Sequence, residues 1–187
     1  PDLVLANRLI ELARRTFEDG LGDAKQRPSV AEWVDRLHAA ADQTVQCPEC
    51  SGTYFVVEKL CPWCDEPRPS VSPVRIARWD PKKGVVRGAM RLGQLPLDKS
   101  GLVLPRRVTE GRTGQSAREP HVEISQVPRG VSVRTKPGFQ AWVAPVANAL
   151  EEHHAVDERG RIIPRNGWLV LFEDPAQPQR VALIGRS

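Results

Sequence analysis

The chain has 187 residues, of which 40% are hydrophobic and 27% are charged, close to the average for globular proteins. No apolar run approaches the ~18–20 residues that a membrane span requires, so we expect neither disorder throughout nor a membrane anchor. The net charge of +4 is concentrated in residues 68–136, which carry 15 basic and 5 acidic residues, whereas residues 1–67 carry 7 basic and 12 acidic residues.

Residues 1–45 are predicted to form two amphipathic helices. Between residues 2 and 19, apolar residues recur at helical spacing with charged residues between them. The second helix is expected to begin at Ser29, which stands three residues before Glu32 as in a capping box, and to run to about Ala40. Apolar stripes of this kind are typical of helices that pack together and carry no catalytic residues.

The four cysteines of the chain form two Cys-x-x-Cys pairs separated by ten residues. Two residues between thiolates let one tight turn direct both sulfurs at one ion, and two such turns complete the tetrahedron that Zn2+ prefers. Four thiolates leave no open position on the metal, so we expect one structural zinc rather than a catalytic one. The predicted zinc ribbon covers residues 46–66 with a hairpin at 53–57, and its ligands are Cys47, Cys50, Cys61 and Cys64.

Two disulfides or a thioredoxin-like redox pair are the alternatives to zinc. The paired spacing is the metal arrangement, and a redox pair needs one Cys-x-x-Cys at a helix start after a strand. Residue 1 is proline and Met90 is the only methionine, which suggests a fragment or a processed chain, and no secretory signal is visible. We therefore expect metal-bound cysteines and a cytoplasmic protein.

A proline-rich linker over residues 67–73 is followed by a predicted β-domain over residues 74–187. Short apolar runs separated by turn residues predict an all-β sandwich or a small barrel. Residues 146–156 contain helix-forming residues and do not fit an all-β pattern. They are expected to form a turn of helix or a mobile loop, with His153 and His154 as a solvated pair. The eight candidate strands are 74–79, 85–86, 102–104, 122–124, 131–133, 140–143, 168–172 and 181–184.

The basic segment 68–136 leaves a nucleic-acid-binding function open. Its side chains could follow phosphates, but aromatic residues make up only 5% of the chain, so stacking platforms for single strands are scarce. The basic residues considered are Lys82, Lys83, Arg87, Arg91, Arg106, Arg107 and Arg112. The sequence contains no glycine-rich phosphate loop, no H-E-x-x-H and no G-x-S-x-G, so we expect this fragment to have no enzymatic activity.

The N-terminal helices resemble the last two helices of a protein-kinase C-lobe. The resemblance rests on residues 14–20, R-R-T-F-E-D-G, and 27–33, R-P-S-V-A-E-W. In that family the arginine of the second motif, here Arg27, pairs with a glutamate at the end of the activation segment, which this sequence lacks. The nucleotide loop, the catalytic lysine and the metal-binding aspartate are also absent, so the resemblance implies the non-catalytic tail of a Ser/Thr kinase.

In this sequence the kinase-like helices are followed directly by Cys-P-x-Cys and Cys-P-W-Cys turns and then by a β-domain. This order is similar to that in the bacterial kinases of the TerY phosphorylation triad, which is associated with tellurite resistance. These systems combine a kinase, a PP2C-type phosphatase and TerY, a von Willebrand A protein with a metal-ion-dependent adhesion site. The resemblance implies that this chain docks the von Willebrand A partner. A rigid turn could offer that partner's metal a carboxylate, and the candidate donors are Glu49, Asp65 and Glu66.

The β-domain has a second resemblance, to forkhead-associated domains, which read phosphothreonine with a Gly-Arg, a Ser-x-x-His and an Asn-Gly turn. Residues 101–107, Ser116, His121 and 166–171 occur in that order, but Pro105 replaces the glycine, and the serine stands five residues before the histidine. The predicted fold class is therefore α+β. It consists of a helix pair, a four-cysteine zinc ribbon and an immunoglobulin-like or degenerate forkhead-associated sandwich. Phosphothreonine reading by the arginines of 101–107 is a further alternative.

Overall fold

The computed structural model describes residues 7–85 and 91–185. The chain divides into two compact units, with the boundary between Pro69 and Ser70. Helices come first, the remainder is mostly β-structure, and the four cysteines form one cluster. In these coarse terms the expected α+β class is confirmed. No helix within the described ranges is both long and apolar enough to cross a membrane.

The first unit begins with a helical stretch whose expected start, at residue 2, lies outside the described residues. Helix α1 spans Asn7–Arg14, a π-helical turn follows at Arg15–Asp19, and α2 spans Gly20–Gly22. After a 3-10 turn at Ala24–Gln26, α3 spans Val30–Ala41. The helix pair predicted from the apolar stripes is therefore present.

Ser29 caps α3 as predicted, since its hydroxyl oxygen accepts a hydrogen bond from the Glu32 N–H at 3.1 Å. The Glu32 carboxylate, expected to return to the cap, accepts instead from the Arg15 guanidinium at 2.7 Å. This ion pair connects the π-helical turn to α3. A tertiary partner has thus replaced the second half of the predicted capping box.

Two short antiparallel strands flank the first cysteine pair, β1 at Thr44–Gln46 and β2 at Thr53–Phe55. The prediction of a hairpin within residues 53–57 was wrong, because β2 pairs with the residues that precede Cys47. The Val56 N–H, which donates to the Gln43 carbonyl at 2.8 Å, extends the pairing by one more hydrogen bond.

The second unit contains two antiparallel sheets in its described part. A seven-stranded sheet has the order β10-β9-β12-β13-β3-β4, with β5 also paired to β3, and a four-stranded sheet has the order β11-β8-β7-β6. The strands are β3 Ser72–Asp80, β4 Gly84–Val85, β5 Arg91–Leu97, β6 Leu102–Pro105, β7 Pro120–Val127, β8 Gly130–Thr135, β9 Ala141–Pro145, β10 His154–Val156, β11 Arg161–Ile163, β12 Trp168–Leu171 and β13 Gln179–Ile184. Helix α4, Arg106–Thr109, follows β6.

One hydrophobic cluster contains buried residues of both sheets. Val74 and Ile76 of the seven-stranded sheet belong to it together with Val122 and Ile124 of the four-stranded sheet. A second cluster contains the alternate residues of the same seven-stranded sheet, Trp79 among them. Period-two alternation therefore fills both faces of the larger sheet with apolar side chains.

Seven of the eight candidate strands overlap strands of the structure, and the eighth is divided, since Val85 lies in β4 and residue 86 lies outside the described residues. The strands β5, β10 and β11 were not predicted. Residues 146–156 form a turn and then β10, so the expectation of a helical turn or loop was wrong at His154. Strand β3 begins at Ser72, inside the predicted linker.

Candidate metal centre

The first cysteine pair lies in a tight turn after β1. The Ser51 N–H donates to the Cys47 carbonyl at 3.0 Å, and the Cys47 N–H donates to the Gly52 carbonyl at 2.8 Å. Ser51 has a positive φ of 59°, a left-handed conformation that returns the chain towards the first cysteine. Cys47 is buried and Cys50 is exposed.

The second pair repeats this backbone plan residue for residue. The Asp65 N–H donates to the Cys61 carbonyl at 2.9 Å, and the Cys61 N–H donates to the Glu66 carbonyl at 2.8 Å. Asp65 has a φ of 58°, at the position that Ser51 occupies in the first turn. Cys61 is buried and Cys64 is exposed. We call these two turns, residues 47–52 and 61–66, the knuckles.

The knuckles bring all four sulfurs together. The Sγ atoms lie within 4.8 Å of one another, and two pairs that cross between the knuckles, Cys47 with Cys64 and Cys50 with Cys61, are each 3.6 Å apart. A tetrahedral site with Zn–S bonds of about 2.3 Å places its sulfurs about 3.8 Å apart. The cluster therefore has the spacing of a single metal site, and none of these cysteines forms a disulfide.

The thiols influence one another's ionisation. The backbone N–H groups of Cys50 and Glu49 lower the pKa of Cys47 to about 7, against the effect of burial. The Glu66 N–H acts in the same direction on Cys64, but burial and hydrogen bonding with the neighbouring thiols outweigh it and raise the pKa of Cys64 to about 12. A divalent metal bound at the cluster would favour the thiolate forms of its ligands.

Trp63 stands out on the surface of the knuckles, with 69% of the residue exposed. Its indole ring packs against Gly52 of the other knuckle so closely that a Cβ built on that glycine would overlap the ring. One side of the ring therefore contacts the first knuckle, and most of the ring is exposed. Sequence reasoning did not single out Trp63, although an aromatic residue between two metal-ligand positions is an available signal.

The three predicted partner-binding acids, Glu49, Asp65 and Glu66, are all exposed on the knuckles. Glu49 occupies the position in the first knuckle that Trp63 occupies in the second. Their role as ligands of a partner's metal stays a prediction.

Apolar side chains of the helices are also exposed in the first unit. Phe17, Leu21 and Val30 are 66%, 75% and 81% exposed, and Ile10, Val34 and Leu37 are about half exposed. Arg27, the arginine of the kinase-like motif, donates from Nε to the Gly20 carbonyl at 2.7 Å. The helices thus bury Leu9 and Leu12 but leave these six apolar side chains exposed.

In the second unit, two residues of the phosphothreonine-reader resemblance, Arg106 and His121, are engaged with other residues of the same unit. Arg106 forms ion pairs with Glu110 at 2.9 Å and Glu119 at 2.7 Å, and the hydrogen bonds that it donates to these two carboxylates raise its pKa. His121 is 2% exposed, its Nδ1 lies 2.8 Å from the Thr109 hydroxyl, and burial lowers its pKa.

Several cations of the basic segment have carboxylate partners. Glu110 binds Arg112 as well as Arg106, and Glu123 binds Arg134 and Lys136. Lys82 and Lys83 are exposed at the turn between β3 and β4. Arg87 and the side chain of Arg91 lie outside the described residues.

The two histidines of residues 146–156 differ in their surroundings. His153 is exposed, as expected, but the half-buried ring of His154 stacks on Trp168 with a centroid distance of 6.3 Å. The prediction of a solvated pair was therefore wrong for His154, because its place in β10 brings it beside an aromatic ring of the larger sheet.

Comparison with models of protein families, with curated proteins and with solved structures finds no match to this chain. The functional interpretation therefore depends on the geometry of the cysteine cluster and on the residues of the kinase-like helices.

Proposed function

We propose that the chain is the non-catalytic C-terminal docking region of a bacterial Ser/Thr kinase, and that its knuckles, fixed by one zinc ion, bind a von Willebrand A partner of the TerY type. The observation that carries the proposal is the pair of 3.6 Å Sγ contacts between the knuckles. A metal at this cluster holds two turns and their exposed side chains in one arrangement. Such a rigid surface suits recognition of another protein.

Zinc is the metal that these donors favour. Thiolates are soft ligands, and four of them at tetrahedral spacing are typical of structural zinc sites. Complete coordination by protein leaves no position for a substrate, so the metal stabilises the fold and performs no reaction. Reduced cysteines of this kind also support a cytoplasmic setting.

The exposed helical surface supports the kinase assignment. Apolar patches of this kind on a folded unit mark surfaces that bind other protein. In the proposed protein, the remainder of the kinase C-lobe covers the surface around Phe17, Leu21 and Val34, and Arg27 meets the glutamate of the activation segment. A PP2C-type phosphatase completes the proposed system, which serves tellurite resistance.

Trp63 supplies the apolar anchor of the docking surface, because large aromatic residues dominate the binding energy of many interfaces. Glu49, Asp65 or Glu66 supplies a carboxylate to the metal of the partner's adhesion site. The indole and the acids make different contributions, one apolar and one ionic. Substitutions can therefore separate them.

We further propose that the second unit is a sandwich of its two sheets, immunoglobulin-like or of a degenerate forkhead-associated kind. The shared hydrophobic cluster supports this packing. Phosphothreonine reading has weaker support, because a phosphate at Arg106 must displace two carboxylates. Nucleic-acid binding also has weaker support, because Arg112, Arg134 and Lys136 already neutralise carboxylates of their own unit.

The first test is the metal content of the purified chain and its binding to a von Willebrand A protein of the TerY type. We expect one zinc per chain and binding that weakens about tenfold or more for Trp63→Ala. Ile162→Ala, the truncation of another exposed apolar side chain, on β11, is the control and should leave binding unchanged.

The second test concerns the acids. The combined variant E49Q/D65N/E66Q and brief EDTA treatment that leaves the knuckle zinc in place should each weaken binding. Binding that survives both would contradict the carboxylate bridge to the partner's metal. Binding that survives Trp63→Ala as well would remove the knuckles from the interface.

A further inference from the structure

A cavity of about 450 Å³ lies in the second unit, between the β8–β9 turn and the β12–β13 loop. It is separate from the cysteine cluster and belongs to no part of the proposed docking surface. The residues of its wall that carry charge or an aromatic ring include Glu110, Phe139, Trp142, Phe172, Glu173 and Asp174.

Aromatic rings form much of this wall. The Phe139 and Phe172 rings lie 4.8 and 5.8 Å from the ring of His121, measured between centroids, and Trp142 is half-buried beside them. The faces of such rings attract cations. The protein already uses this property, since the guanidinium carbon of Arg106 lies 5.5 Å from the centre of Phe139.

The charged groups of the wall are carboxylates, and no lysine or arginine of the described chain lines the cavity. Glu110 is neutralised by Arg106 and Arg112. Glu173 and Asp174 are exposed and form no ion pair with any cation that the structure describes. The uncompensated charge at the cavity is therefore negative.

The loop that carries these two acids is fixed from within. The Gln179 side-chain oxygen accepts from the N–H groups of Phe172 and Glu173, each at 2.8 Å, and its nitrogen donates to the carbonyls of Glu173 at 3.0 Å and Asp174 at 2.8 Å. The Trp79 indole N–H donates to another carbonyl of this loop at 2.9 Å. The backbone that carries the two carboxylates is thus fixed at the cavity.

One oxygen of Asp174 accepts from the Ala176 N–H at 2.9 Å, which leaves the second oxygen to a ligand. Aromatic faces and carboxylates around one space are complementary to a cation with an apolar stem. Arginine and lysine side chains have this form, with a charged head and a methylene chain. The volume is within the range of sites that hold a side chain with part of its backbone.

We propose that this cavity binds the guanidinium or ammonium group of an arginine or lysine side chain presented by a peptide segment. The cationic head lies at Glu173 and Asp174, and the methylene stem lies against Trp142 and Phe172. An anion such as a phosphorylated side chain is repelled by the same carboxylates. The site is independent of the von Willebrand A surface, so either proposal can fail without the other.

The test is a titration of the full zinc-loaded chain with peptide probes, in which the NMR signal of the Trp142 indole N–H reports binding. The probes are a five-residue peptide with a central arginine, the same peptide with norleucine, the same peptide with phosphothreonine, and N-acetyl-arginine amide. We expect saturable binding of the arginine peptide, about tenfold tighter than that of the norleucine peptide. Comparable affinity of N-acetyl-arginine amide would support the cationic site with a free small molecule as its ligand.

The matched variants are E173Q/D174N and E151Q/E152Q, since Glu151 and Glu152 are also adjacent exposed acids. The first should weaken binding of the arginine peptide about tenfold and the second should leave it unchanged. Asn at 174 retains the oxygen that accepts from Ala176, and an unchanged thermal melt checks the fold. Equal affinities for arginine and norleucine, tighter binding of phosphothreonine, or full affinity in E173Q/D174N would each overturn the proposal.

Discussion

The indole ring of Trp63 lies where a side chain on Gly52 would have to begin, although eleven positions separate the two residues along the chain. The contact joins the two knuckles on their outer surface, as the metal site joins them through the sulfurs. A side chain at 52 would therefore require the exposed indole to move.

Gly52→Ala should displace the indole and destabilise the zinc-loaded first unit by no more than about 1 kcal/mol, because the exposed ring can move and the cost stays at the low end of overpacking. Denaturant unfolding followed by tryptophan fluorescence measures the change. Gly22→Ala is the control, because a Cβ there meets nothing within 4 Å. Equal stability of the two variants would show that the Trp63 contact does not constrain the site.

Cys47→Ser and Cys61→Ser should each abolish stoichiometric zinc binding, since each removes a buried sulfur from the cluster. Structural zinc in small domains contributes about 10–16 kcal/mol at pH 7, so we expect the first unit to lose its fold. Metal analysis and hydrogen exchange of residues 44–66 would record both effects. Ser70→Ala, an exposed change outside the knuckles, serves as the control, and retention of one zinc by either cysteine variant would contradict a four-thiolate site.

Acid should destabilise the second unit through His121. Because burial lowers the pKa of this histidine, the folded chain binds fewer protons than the unfolded chain once the pH falls below the ordinary value of about 6.5. Stability is complete above that pH and is lost as the pH falls towards the lower pKa of the folded state. Denaturation midpoints from pH 8 to 5 should decline less in His121→Gln, whereas the exposed change His153→Gln should leave the slope unaltered.

Glu123 gives a second pH dependence at lower values. Hydrogen bonds from Arg134 and Lys136 hold its pKa at about 2, so its contribution to stability is present above the ordinary pKa of about 4.5 and is lost as the pH falls towards 2. Both partners are more than a third exposed, so we expect E123Q to cost only about 1 kcal/mol at pH 7. The difference from the parent chain should vanish near pH 2, while Glu158→Gln should have no effect at either pH.

The clustering of the four cysteines was predictable because a Cys-x-x-Cys turn is a local device. The main strands were predictable for a similar reason, since alternating apolar residues encode a buried face within a few positions. Strand β5 was missed because Gly93 and Pro96 interrupt its pattern. Strand β10 was missed because its histidine and exposed alanine gave no apolar run.

Other features arise from contacts between distant segments and have no local signature. Glu32 has the spacing of a capping residue, but its ion pair with Arg15 is formed only when the helices meet. The cavity assembles residues from three loops and two strands, with Gln179 as the internal support of one wall. The net charge of the cavity could not be predicted from the sequence, because it depends on which cations form ion pairs in the folded chain.

The crossed pairing of the thiols determines how the surface of the first unit responds to its metal supply. Each 3.6 Å contact joins a buried sulfur of one knuckle to an exposed sulfur of the other, so loss of the ion releases both turns in the same event. Trp63 and the three acids are therefore released together. In the proposed docking, partner binding would require the bound metal, because a chain without it holds neither knuckle in place.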